Sequence, residues 1–148
     1  MRRLLAAALV TALAAPTLGC GGDAAATKAD YVAQLNAMCE DFAARERQIG
    51  EPHTLADVAE RGQQIASAYE QAIADKVLEL EPPREIAGQA ARLRNLSLQQ
   101  RDVLRRLAEA ARNHDLARVR VLAGRNATLN SEAGELAGRL GADSCSGP

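Results

Sequence analysis

Cysteine and histidine combine nucleophilic, redox and metal-binding chemistry, and here they are Cys20, Cys39, Cys145, His53 and His114. Cys20 stands in Thr17-Leu18-Gly19-Cys20-Gly21-Gly22, which has the form of a bacterial lipobox. At such a site a signal peptidase cuts before a cysteine that carries a lipid. Gly19 suits the position before the cut, whereas Thr17 stands where leucine is usual. Ordinary secretion, with cleavage after Ala14 or Ala15, is the alternative. An exported chain with three cysteines leaves one odd thiol. Lipidation of Cys20 removes it and leaves Cys39 and Cys145 to pair. Export favours oxidation, and the disulfide would close a loop of about 107 residues, stabilising by about 4–5 kcal/mol. A redox or metal-binding thiol pair is the alternative, but it lacks a CxxC motif or a nearby histidine.

His53 and His114 both fall in expected turns. With Glu51, Asp57 and Asp115 they form a weak candidate metal site; the plainer reading is two solvated turn residues. The sequence contains neither HExxH nor GxSxG. Its glutamates are scattered at helix-surface spacing, with no inward pair for acid–base work. No catalytic residue and no cofactor are expected. The biased feature is a group of arginines, Arg101, Arg105, Arg106, Arg112, Arg118, Arg120 and Arg125. It offers an anionic partner such as a cell-wall polymer or a protein a basic surface, and otherwise reads as a solvated face. The net charge of −1, falling to −3 once Arg2 and Arg3 are removed, does not suit a nucleic-acid binder.

The elements that must position these residues are helices. Alanine and leucine dominate, and the aromatic residues are Tyr31, Phe42 and Tyr69, with no Trp. Such a composition favours close-packed helices over sheet. Met1-Arg2-Arg3 and the apolar Leu4–Ala15 stretch form a leader too short to span a bilayer. The expected divisions are a signal peptide at 1–19, a lipidated tether at 20–27, a bundle at 28–141 and a cysteine-bearing tail at 142–148.

Thr27…Asp30 and Thr54…Asp57 have the form of capping boxes. The first helix is predicted over Lys28–Ile49, with Val32, Leu35, Cys39, Phe42 and Ile49 inward. The second runs to about Leu80, with Leu55, Val58, Gly62, Ile65, Tyr69, Ile73, Val77 and Leu80 inward. Glu81-Pro82-Pro83 stops it. The third spans about Arg84–Asn113, with Ile86, Leu93, Leu96, Val103, Leu107 and Ala110 inward. Gln100 falls on that stripe, and Asn126 is a candidate to hydrogen-bond it.

Asp115 is the expected N-cap of the fourth helix, which has Leu116, Val119, Leu122, Leu129, Leu136 and Leu140 inward and Gly141 as its C-cap. Ala127, Ser131, Gly134 and Gly138 form a strip of small residues there. They invite close contact with Ala29, Ala33, Ala37 and Ala44 of the first helix. Short turns imply an all-α, antiparallel up-down-up-down four-helix bundle. Residues Lys28–Glu81 carry five basic and eleven acidic side chains, and Arg84–Arg125 ten and four, balances of −6 and +6. An acidic hairpin against a basic one is self-complementary, though weakly stabilising.

Tyr31-Val32-Ala33-Gln34-Leu35-Asn36-Ala37-Met38-Cys39, then Leu80-Glu81-Pro82-Pro83, then Gly141-Ala142-Asp143-Ser144-Cys145, resembles a family of small exported helical lipoproteins of actinobacteria. The arginine-rich, lysine-poor composition suits a GC-rich genome of that kind. The resemblance implies a disulfide-stapled bundle and no particular activity. The expected protein is a monomeric, non-catalytic module on the outer face of the cytoplasmic membrane, or secreted. It would bind a protein or an envelope component. The alternative is a carrier or sensor of a small ligand or metal, using the bundle interior or the His53/His114 end.

Overall fold

Three of the helices start on a side-chain cap, and glycines end two of them. The computed structural model describes residues 27–146; the leader, Cys20 and most of the tether lie outside them. Helix α1 (Lys28–Ile49) opens on a closed capping box. The Thr27 hydroxyl accepts from the Asp30 N–H at 3.2 Å, and the Asp30 carboxylate accepts from the Thr27 N–H at 3.0 Å. Gly50 ends the helix at φ 82°, a conformation that favours glycine. Thr54 and Asp57 repeat the box for α2 (Leu55–Tyr69).

The second predicted helix is three segments in the structure. After α2 comes a π turn (Glu70–Ala74), closed by the Asp75 N–H donating to the Glu70 carbonyl at 2.9 Å, and then α3 (Lys76–Glu79). The wide turn takes one extra residue and brings Ala72, Ile73 and Ala74 inside in succession. A short 3₁₀ turn (Arg84–Ile86) leads into α4 (Ala87–Arg112). Asp115 caps α5 (Leu116–Leu140) by accepting from the Arg118 N–H. Gly141 then turns the chain at φ 97°, and a second 3₁₀ turn (Asp143–Cys145) begins the tail. No strand occurs among the described residues. No helix there is long and apolar enough to cross a membrane.

The rods α1, α2–α3, α4 and α5 form a four-helix bundle whose sequential neighbours run in opposite senses. Asp41 meets Lys76 and Arg45 meets Gln71, both at 3.0 Å. Gly62 lies against Ala108, Tyr69 reaches Gln100, and Arg94 donates to the carbonyls of Val77 and Leu80. Between α4 and α5, Gln100 meets Asn130 and Arg92 meets Glu132. The two halves touch through charge at Arg105–Glu70, 2.6 Å apart, but the pair is exposed and adds little. The core is built of alanines and medium aliphatics, with Tyr31, Val77 and Leu140 its most enclosed large residues.

Two expected stripes shift. On α1 the buried residues are Tyr31, Leu35 and Met38; Val32, Cys39 and Phe42 are only partly covered. On α5, Leu116 is 58 % exposed instead of inward.

The larger correction concerns the first and last helices. The small-residue strip does not receive α1. Ala29, Ala33 and Ala37 are exposed, as are Ala127 and Ser131. The C-terminal tail lies against the strip instead: a Cβ added at Gly134 would stand 3.2 Å from the Ser146 carbonyl oxygen, and one at Gly138 3.5 Å from the Ser146 Cβ. Cys145 is bonded to Cys39, with the two Cα atoms 5.3 Å apart. The Ser144 N–H donates to Asn36 and its hydroxyl to Glu40, each at 3.0 Å. The tail is thus a strap stitched to α1 and seated on α5, and it holds the two helices apart.

Candidate functional site: a groove between the first and last helices

A wedge at one end of two helices leaves space along the rest of their length. Between α1 and α5 that space is a groove of about 730 Å³, within the size range of small-molecule sites. On the α1 side its wall is Leu35, Met38, Cys39, Phe42 and Ala43, with Glu46 farthest along. On the α5 side the wall is made of small and polar residues from Ala127 to Gly138. Ser144–Ser146 of the strap stand at the Leu35–Cys39 end. The wall from Leu35 to Glu46 runs about 16 Å along α1 at 1.5 Å per residue. Few side chains here are large enough to fill the gap, and Phe42 packs edge-on to Tyr69, 5.3 Å between ring centres, instead of crossing it.

The floor comes from the rods behind, and it is polar at one place. Tyr69 donates its hydroxyl to the Gln100 carbonyl oxygen at 3.1 Å, and the Gln100 amide donates to Asn130 at 3.4 Å. Ser97 donates back to the Leu93 carbonyl at 3.0 Å. Tyr69, Ser97 and Gln100 are all buried. Burial pushes the Tyr69 phenol up to about 12, so the ring stays neutral at physiological pH. A glutamine held by a tyrosine presents fixed, uncharged hydrogen-bonding atoms to whatever enters. The arrangement is that of a binding site: apolar walls with one oriented polar patch.

The predicted site residues fare unequally. Cys39 and Cys145 are joined, at a sequence separation of 106; Cys20 lies outside the described residues. His53 and His114 are both exposed. The His53 N–H donates to the Asp57 carboxylate, and His114 holds a turn at φ 55°. Among the described residues no group of three or more His, Cys, Asp or Glu side chains assembles to hold a metal ion.

The arginine group divides. Arg101 pairs with Asp102, Arg105 with Glu70, and Arg112 donates to Gln63. Arg106, Arg118, Arg120 and Arg125 are exposed. Gln100 bonds Tyr69 and Asn130 instead of Asn126, whose side-chain oxygen is buried without a partner among the described residues. The sequence expectations name the bundle interior as an alternative ligand site, but not an opening between the first and last helices. Its one signal was the small-residue strip, which invites a close helix and a returning tail equally. No protein family, curated protein or solved structure matches the chain.

Proposed function

We propose that this protein is a non-catalytic binding module of the bacterial cell envelope, and that the α1–α5 groove is where it holds a small, largely apolar envelope component. The observation that carries this reading is the groove's build. It is a cleft of about 730 Å³, apolar along α1, floored by the Tyr69–Gln100–Asn130 hydrogen bonds. Export and a lipid on Cys20 are supported by the lipobox form and by the even cysteine pair that it leaves. A lipid anchor would keep the groove close to the outer face of the cytoplasmic membrane, where such components are found.

The test of the binding role is titration of the protein with the neutral apolar dye N-phenyl-1-naphthylamine. Saturable fluorescence at one dye per chain, lost in Ser131→Trp, is the expected result. Equal dye uptake by that groove-filling variant contradicts the role. Mass spectrometry of membrane-extracted protein tests the anchor: a diacylglycerol adduct on Cys20 supports it, and an unmodified N-terminus at Ala15 or Pro16 overturns it.

A further inference from the structure

We infer that the groove selects single-chain amphiphiles by the sign of their head group, taking a cationic head and rejecting an anionic one. The inference rests on the groove being the ligand site. Among the described residues no lysine, arginine or histidine lines it, and the charged lining residues there are Glu46 and Glu135. The two carboxylates differ in availability. Glu135 has Arg139 one turn away, 3.8 Å between charged atoms, and accepts from Ser131. Glu46 is exposed and makes no ion pair among the described residues.

Position then orients the ligand. The strap stands at the Leu35–Cys39 end of the α1 wall, and Glu46 stands at the opposite end. An apolar chain lies along Leu35, Met38 and Phe42 with its tip toward the strap, passing the neutral amides of Gln100 and Asn130. Its head group emerges beside Glu46. A cationic head there gains a counter-charge without leaving water. An anionic head meets a like charge and has no basic side chain in the lining to offset it.

The test compares three probes sharing one ten-carbon chain: decyltrimethylammonium, 1-decanol and decanoate at pH 8. The chain has a single phenylalanine, Phe42, which lines the groove. Fluorinated phenylalanine therefore gives one ¹⁹F signal that reports on this site in the full-length protein. The expected order of affinity is ammonium, then alcohol, then carboxylate. The ammonium is favoured over the alcohol by up to about fivefold, the scale of one exposed charge pair, and the preference shrinks as salt rises. Glu46→Gln should abolish the preference for the ammonium over the alcohol. Equal affinities for the three heads, or tightest binding of decanoate, overturn the charge selection while leaving the groove as a site. Failure of all three to move the Phe42 signal overturns the groove reading with it.

Discussion

Replacing Cys145 with alanine should lower the thermal midpoint of this protein by about 15–20 °C. The Cys39–Cys145 bond closes a loop with a sequence separation of 106. On the chain-entropy account a loop of that size constrains the unfolded state by about 4–5 kcal/mol. With about 120 residues in the folded region and about 2.1 cal/mol/K of unfolding entropy per residue, each kcal/mol moves the midpoint by about 4 °C. The strap's remaining ties, Ser144 to Asn36 and Glu40, are exposed hydrogen bonds and cannot hold it alone. Circular dichroism at 222 nm, followed against temperature for wild type, Cys145→Ala and Cys39→Ala/Cys145→Ala, measures the effect. The single and double variants should agree, because the interaction belongs to the pair. A fall of less than 5 °C would refute the reasoning, since it would mean that the unfolded chain is no freer without the bond.

Glycines on α5 should respond to alanine with opposite signs. Nothing lies within 4 Å of a Cβ added at Gly124, so Gly124→Ala should gain up to about 1 kcal/mol of helix propensity in urea denaturation. Gly134→Ala presses on the backbone of Cys145 and Ser146 and should lose roughly 1–2 kcal/mol net; matching signs would count against the strap's seat. Tyr69→Phe strips the buried Gln100 carbonyl oxygen of its donor, and equilibrium unfolding should show a loss of about 1–3 kcal/mol. On acidification, stability should hold steady to about pH 5 and fall below about pH 4. Hydrogen bonds from Arg45 and Lys76 hold the Asp41 carboxyl below its ordinary value, and capping hydrogen bonds do the same for Asp30 and Asp57. These depressed groups stabilise the fold above the unfolded carboxylate pKa, and that contribution is lost as pH drops through their folded values. Urea midpoints that rise from pH 5 to pH 3 would contradict this sign.

Local chemistry was legible in the sequence, and long-range placement was not. Thr27 with Asp30, and Thr54 with Asp57, bond across three residues, so their boxes follow from spacing alone. Gly141 is a C-cap for the same local reason, and Cys39 and Cys145 are joined, as the expectation of an exported chain with one lipidated cysteine has it. The π turn at Glu70–Ala74 follows from no composition cue there. The expected inward positions around it, Tyr69, Ile73, Val77 and Leu80, are nonetheless all buried, because the four-residue spacing from Tyr69 to Val77 also fits a rod with one extra residue. The partner of Gln100 depends on three rods meeting at one level, which put Asn130 in reach and left Asn126 aside. The groove was hidden for a related reason. Gly134 and Gly138 report only that some backbone comes close. Whether that backbone belongs to α1 or to the returning tail depends on where Cys145 must go to reach Cys39.

The claim that most of this rests on is that α1 and α5 hold a ligand-sized opening between them. Phe42 lies on its wall and is the only phenylalanine in the chain. Titration of ¹⁹F-labelled protein with 1-decanol is therefore the most direct measurement. A single shifted resonance that saturates at one equivalent, and does not shift in Ser131→Trp, is what the structure predicts. A resonance that stays fixed through saturating decanol would show that the opening accepts nothing and would contradict the account.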